Sequence, residues 1–441
     1  MAEIQPFRGV LYNTSRVKPA DVLTQPYDKI TPEMRERYGK LSPYNLIQVE
    51  LGKEQPGDTE TRNKYARAGD LYRAWLQEGV LRRSGKPSLY YLEQTFAAPN
   101  GSQAGMPVPP RTLTRKAWIA RVRLHRWDEG QILPHEHTLS KPKADRLSLL
   151  RACGSQQGQI FMLYPKLNRP CAPGRLEAPD LSCVDDYGVT NNLWEITDPS
   201  AIRTVQEALR EQKFYIADGH HRYETALAFR DECRTAMATP DPNASSEFVM
   251  ATLVEMSDPG LVVLPTHRTV ANLPAFDRSQ FRQALAMDFV VEPQPSLEKM
   301  LQAMTGADHR IGMRDAKEFV VLHPRNLDAL RPQFANKPPL WHTLDVALLH
   351  VSILESLLGI DEARLREESN VRYWREPEKA LDQVNSGAAP LAFFLSPTRV
   401  EEVKAIADAR SRMPQKSTDF YPKLLSGLVM YEVSPVTTGV R

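Results

Sequence analysis

Four short clusters in this chain combine imidazole, cationic and hydroxyl side chains in patterns that could do chemistry. The densest is Asp218-Gly-His-His-Arg222. It follows an apolar β-type run, Phe214 to Ile216, and leads into helical spacing through Leu227, Ala228 and Phe229. Asp218 is a good N-cap by type, and Gly219 permits a sharp turn before the helix. The first turn of a helix offers free N–H groups and the positive end of the dipole. Three cationic or potentially cationic residues, His220, His221 and Arg222, crowd that same start. A solvated helix disfavours positive charge there, so an anionic ligand is the natural compensation. The pattern predicts a phosphate site, with Thr225 one turn further on as an added candidate. The competing reading is a strand-to-helix turn carrying surface histidines.

The second cluster is Pro134-His-Glu-His-Thr138, followed by Lys141, Lys143, Asp145 and Arg146. In an extended segment His135 and His137 share one face and Glu136 points to the other. Two such histidines can hold a metal given a third ligand, and Glu136 can act as a general base. The alternative is a polar loop capped by salt bridges to Lys143 and Arg146. The third cluster, Pro265-Thr-His-Arg268, places His267 and Arg268 just past Leu261 to Leu264, where strand ends line clefts. The fourth runs from Met413 to Lys423, and its Lys416, Ser417, Thr418 and Lys423 suit oxyanions. It lacks the glycines of a P-loop. No Gly-x-Ser-x-Gly elbow accompanies these clusters. The pair Asp185-Asp186 reads as a solvated loop.

Elements must position these side chains. Periodicity predicts a helix over 59–82, a strand from Leu89 to Phe96 and a surface hairpin or insertion over 97–110. A strand from Trp118 to Leu124, a helix over 143–153 and a strand from Ile160 to Tyr164 follow. A loop spans 165–180 and a helix 199–212, feeding the Asp218 turn. Strands come next at Phe248 to Glu255 and Leu261 to Leu264, then alternating elements from 271 to 360 suggest an appended subdomain. A strand at Ala392 to Leu395, a helix over 398–411 and a strand from Leu425 to Val433 close the chain. The fold class is α/β to α+β with mixed sheets. The domain reading is an N-terminal α+β region (1–165), a core (195–270), an appended α/β subdomain (271–360) and a C-terminal segment (361–441) returning to the core.

At 441 residues the chain is long enough for two or three domains. Fifty-six Lys plus Arg against 54 Asp plus Glu leave a net charge of only +2, and no basic run appears. That balance argues against nucleic acid as the partner. No charged leader with an apolar core and no long apolar stretch is visible, so no membrane span is expected. The four cysteines, Cys153, Cys171, Cys183 and Cys233, are widely spaced and read as free thiols in a reducing compartment, with the cytoplasm as the default.

Taken together, the segments resemble domain-of-unknown-function family 1015. The matching motifs are Ile4-Gln-Pro-Phe-Arg-Gly9, Pro26-Tyr-Asp28, Pro134-His-Glu-His-Thr138 with Lys143-Ala-Asp-Arg146, Ile216 to Ala226, Leu264-Pro-Thr-His-Arg268, and Met413 to Thr418 with Phe420-Tyr-Pro-Lys423. Asp419 departs from the pattern, which usually has an aromatic residue there. The Asp218-Gly-His-His-Arg222 motif is similar to the signature of the ParB/sulfiredoxin superfamily, whose members include nucleotide switches, sulfiredoxins and free-serine kinases. That resemblance implies a ParB/sulfiredoxin-like nucleotide-binding core over 195–270, with Gly219, His220, His221 and Arg222 at phosphate-binding positions. His220 stands where sulfiredoxin's motif carries cysteine, which argues against sulfinic-acid repair.

The implied activity is phosphoryl transfer between a nucleotide, ATP or ADP with Mg²⁺, and a small hydroxyl compound such as serine. Glu136 is then the expected base, with His135 and His221 as further catalytic candidates. Asp218, Gly219, His220, Arg222, Thr225, His267, Arg268, Lys416, Ser417 and Thr418 are the expected nucleotide contacts, and Asp218 or Asp28 would approach the metal. The alternatives are a ParB-like regulatory protein and a metal-dependent hydrolase.

Overall fold

The computed structural model describes residues 2–99, 111–137, 140–168, 171–237, 239–274, 276–367 and 369–434. The side chains of residues 140–142 and 366 are likewise outside the description, as are most of the expected 97–110 hairpin and Thr138.

A large mixed sheet carries the first half of the chain. Its strands lie in the order Ile132–Leu133, Phe214–Asp218, Ile160–Tyr164, Phe248–Glu255, Thr112–Arg123, Leu89–Ala97, Thr190–Ile196 and Leu181–Val184, with Ile4–Gln5 also paired to Thr112–Arg123. The pairs Phe214–Asp218 with Ile132–Leu133, and Phe248–Glu255 with Ile160–Tyr164, are parallel, and the others are antiparallel. Central strands are covered on both faces, which is why they read as continuous apolar runs: Phe214 to Ala217 and Phe248 to Val254 are all buried. A second sheet of six antiparallel strands orders Phe289–Gln294, Phe319–Pro324, Ile311–Asp315, Leu391–Phe394, His267–Val270 and Val371–Trp374. The fold is therefore mixed α/β with smaller sheets beside the central one.

Several expected elements shift. The helix expected over 59–82 is Lys64–Gln77, capped by the Asn63 side chain, which accepts from Tyr65 and Ala66 N–H. The expected terminal strand Leu425 to Val433 is reduced to Tyr431–Glu432, pairing with Ser155–Gln156. The segment holding His267 and Arg268 is not a strand's end but a strand itself, inside the second sheet. Leu181–Val184 and Thr190–Ile196 form a hairpin that the polar composition concealed. In its turn Asp186 is exposed, as the solvation reading has it, while Asp185 is half-buried and both carboxylates also accept hydrogen bonds. Asp186 accepts from the Arg37 guanidinium at 2.7 Å, and Asp185 accepts from the Val189 and Tyr187 N–H groups.

Among the described residues no helix is long and apolar enough to cross a membrane. The four cysteines are free.

Candidate functional site

Topology explains why the clusters meet. Phe214–Asp218 runs parallel to its edge neighbour Ile132–Leu133, so both strands end on the same side of the sheet. The turn 134–137 therefore lies beside the turn 218–220. Ile160–Tyr164 runs antiparallel to Phe214–Asp218, which brings its start, Gly158 and Gln159, under the same corner.

The turn itself departs from expectation. Asp218 is not the cap but the last residue of the strand. Gly219 holds the N-cap position with φ +93°, and no side chain caps helix His220–Ala236. That φ is open to glycine and costly for other residues. A Cβ at Gly219 would also sit 3.2 Å from the Arg222 guanidinium. Gly219→Ala is expected to destabilise the fold by about 1–3 kcal/mol, read by chemical denaturation, with Gly219→Asn milder because asparagine tolerates left-handed backbone.

Released from capping, Asp218 enters a buried ion cluster. Its Oδ2 accepts from Lys423 Nζ at 2.7 Å, and Arg222 Nη2 lies 3.6 Å from Oδ1. Lys423 also meets Asp419 at 3.1 Å, while Arg375 Nη2 donates to Asp419 at 2.9 Å and Lys29 stands 3.8 Å away. Burial pushes the Asp218 carboxyl up, but Lys423 and then Arg222 together pull it well below the usual carboxylate range. Burial likewise opposes the charge of Lys423, yet Asp218 and Asp419 hold it firmly protonated.

Histidines here are mostly structural. His135 is fully buried and uses both ring nitrogens, Nδ1 with the Ile216 carbonyl at 2.7 Å and Nε2 with Thr418 Oγ1 at 2.9 Å. Its backbone carbonyl accepts from Met413 N–H at 2.7 Å. These bonds tie the 134–137 turn to the loop 413–418. Burial pulls His135 down to about 4, so it is neutral at neutral pH. His220 is buried against it, ring to ring at 4.8 Å, and accepts from the His135 N–H at 3.3 Å. Its basicity is also depressed by burial, then by His135.

The expected shared face of His135 and His137 is corrected, since His135 is buried and His137 exposed. With both His135 nitrogens occupied, the metal reading of that pair loses its first ligand. Among the described residues, no group of three or more His, Cys, Asp or Glu could hold a metal. The expected pairing of this loop with Lys143 and Arg146 is also replaced. Lys143 binds Glu224 at 2.7 Å, and Arg146 binds Asp145 and the Glu50 carbonyl.

Several other expected nucleotide contacts serve as supports. Arg222 Nη1 donates to the Gln159 carbonyl at 2.6 Å, and Thr225 Oγ1 donates to the His221 carbonyl at 2.8 Å. Arg268 is 1% exposed and donates to the carbonyls of Thr266 and Lys416, the second at 2.9 Å. It therefore fixes the backbone of Lys416, which has φ +55°. His267 accepts from Leu395 N–H at 3.3 Å within the second sheet, and burial lowers it to about 3. Ser417 Oγ donates to the Pro414 carbonyl at 2.5 Å.

What these supports leave at the surface is Glu136, His221, Lys416 and Asp28. Lys416 and Asp28 are exposed, and Glu136 and His221 are half-buried. Burial pushes Glu136 up to about 7, against the pull of Lys416, Lys423 and Lys29, with Asp218 adding to the rise. The sequence reading missed Lys29 and Arg375. No local signal marks them, because both reach Asp419 from segments distant in the chain.

A family model described as "Protein of unknown function (DUF1015)" matches residues 4–347, well over half of the chain. No curated protein gives a significant match. Among solved structures, a free serine kinase in complex with AMP is 13% identical with a TM-score of 0.34, covering 73% of this chain and 95% of that one. A conserved hypothetical protein from Pyrococcus furiosus is 13% identical (TM-score 0.34, 69% and 90% covered). SbnI with C-terminal truncation from Staphylococcus aureus is 12% identical (TM-score 0.35, 70% and 85% covered). At these identities and scores the likeness carries no argument about this chain.

Proposed function

The chain belongs to the DUF1015 family, and from that premise we propose that it is a nucleotide-dependent phosphotransferase acting on a small hydroxyl compound, with serine or phosphoserine as the specific expectation. The observation that carries this reading is Glu136, a carboxyl raised to about 7 amid the fields of Lys29, Lys416 and Lys423. A base poised near neutral pH can take a hydroxyl proton and also release it. Lysines at the same place suit the charge on a transferring phosphoryl group. The likeness of Asp218-Gly-His-His-Arg222 to the ParB/sulfiredoxin signature supports placing the phosphates at the start of helix His220–Ala236. The ParB/sulfiredoxin-like core over 195–270, with subdomains on either side, is part of the same proposal.

In the proposed step the acceptor hydroxyl loses its proton to Glu136 as its oxygen bonds to the terminal phosphorus of the nucleotide. The bond from that phosphorus to the bridging oxygen breaks, and the shortened nucleotide leaves with the electron pair. Lys416, held by the buried Arg268, faces the phosphoryl oxygens. His221 is depressed by burial, with Glu224 opposing, so it serves as a neutral hydrogen-bonding group.

Mg²⁺ typically takes one or two carboxylates beside phosphate oxygens. Asp28 fits that role, being exposed and close enough for its field to act on His221 and Lys423. When bound, the ion would neutralise charge on the phosphates.

Thermal-shift measurement with ATP, ADP, CTP and GTP, with and without Mg²⁺, tests the reading. At a hundredfold excess over Kd, a bound nucleotide stabilises by about 2.7 kcal/mol, enough to raise Tm visibly. Lys416→Ala, an exposed position, should keep the unliganded Tm and shrink the nucleotide shift. A flat panel across all four nucleotides would sink the proposal.

A further inference from the structure

A cleft of about 310 Å³ is lined by Glu50, Lys64, Tyr65, Asp145 and Arg146 among others. A smaller cavity of about 50 Å³, lined by Tyr27, Gln157 and Arg222, shares Glu50, Arg146 and Leu149 with it. The two spaces therefore meet at the Glu50 and Arg146 side chains.

Glu50 is unusual in this setting. It is 5% exposed, and among the described residues its two carboxylate oxygens accept only from neutral hydroxyls, Ser426 at 2.9 Å and Thr24 at 3.4 Å. Among the described residues no cation forms an ion pair with it. The neighbouring Arg146 guanidinium is spent on Asp145, on the Glu50 backbone carbonyl at 2.9 Å, and on the Tyr27 ring at 4.4 Å. A buried carboxylate without a cation is costly, and natural proteins keep one where a ligand or reaction needs it. Burial raises this carboxyl, and Arg146, the Ser426 hydroxyl and the more distant Arg222 only partly oppose it. Beside it, Gln157 is also 5% exposed, and its Nε2 has no hydrogen-bond partner among the described residues. Among the described residues the pair thus offers one carboxyl group with no ion-pair partner and one amide donor with no acceptor.

We propose that this cleft, together with the small cavity that shares Glu50 with it, binds a small molecule carrying a protonated amine, of free amino-acid size, its body in the cleft, its ammonium against the Glu50 carboxylate and an acceptor oxygen reaching toward Gln157 Nε2 in the cavity. The volume, at the lower end of the roughly 300–1,000 Å³ usual for small-molecule sites, suits such a ligand. For the phosphotransfer reading this names the acceptor class, a hydroxy-amine, and to that extent the inference rests on that reading. Binding of the amine itself needs no nucleotide.

Isothermal titration of the full chain, without nucleotide, with L-serine, ethanolamine and D-glycerate tests it. Serine and ethanolamine should bind, and glycerate, which has hydroxyls and no amine, should bind at least about tenfold more weakly. Glu50→Gln should lose at least about tenfold in serine affinity with an unchanged circular dichroism spectrum. If that variant does not fold, Gln157→Leu takes its place, with serine binding weakened and the glycerate contrast kept. The inference is overturned if no amine binds, if glycerate matches serine, or if the folded variants bind serine as the wild type does. A flat nucleotide panel with the amine contrast intact would remove the phosphotransfer reading and leave this site standing, and the reverse result would do the opposite.

Discussion

Replacing Glu136 by glutamine is expected to lower turnover by about 10²- to 10⁴-fold while leaving nucleotide affinity close to that of the wild type. Glutamine keeps the shape of the side chain and removes only its capacity to take a proton. The pH profile gives the sharper signature. A base must be ionised to work, and burial holds this carboxyl at about 7. Wild-type kcat should therefore rise with pH through about 7 and then level. Glu136→Gln should show a low, flat profile over the same range. A variant with wild-type turnover, or one that keeps the limb near 7, would assign the proton transfer elsewhere.

The largest stability effect is expected at Lys423. Its ammonium bridges Asp218 at 2.7 Å and Asp419 at 3.1 Å, and its side chain is 8% exposed. Lys423→Met keeps the length and leaves both carboxylates buried without their main partner. Breaking a buried pair from one side costs about 3–5 kcal/mol, a fall of several degrees in Tm by calorimetry.

The sign of the pH dependence follows from the direction of the shifts. Asp218 and Asp419 are both held below the ordinary carboxylate range once burial is outweighed by Lys423 and its neighbours. A depressed carboxyl contributes stability that is present above its unfolded value of about 4 and lost as pH falls below it. The wild type should lose stability on acidification through that window, and Lys423→Met should lose less. Asp419→Asn tests the same cluster from its other end, leaving Lys423 paired to Asp218, and should cost less than the lysine change. Equal Tm values for Lys423→Met and wild type would mean that the cluster does not hold the site together.

What was legible in the chain follows from what local pattern can encode. Continuous apolar runs such as Phe248 to Glu255 marked central strands, and Asn63 and Asp198, capping Lys64–Gln77 and Pro199–Leu209, follow ordinary helix chemistry. The strand, glycine turn and helix around Gly219 were visible because a left-handed residue leaves a compositional mark. Side-chain direction was not. His135, His220, His267 and Arg268 look like surface chemistry in sequence, and only tertiary packing shows that they bond to backbone and to one another inside the fold. Lys29 could not be joined to Asp419 from sequence, because 390 residues separate them and no local periodicity records the contact. Glu136 kept its candidacy for a related reason. It is half-buried with no ion-pair partner among the described residues, and a raised carboxyl is what that produces.

The groups around Glu136 are proposed to move a phosphoryl group between a nucleotide and a small hydroxyl compound. Phosphorus NMR on wild-type protein with Mg²⁺ and L-serine plus ATP or ADP, and with phosphoserine plus ADP, tests it most directly. A phosphomonoester resonance should grow as the nucleotide's terminal phosphate decays, or the reverse exchange should appear from phosphoserine, with neither change in Glu136→Gln. Spectra unchanged in both directions, or release of inorganic phosphate alone, would contradict it.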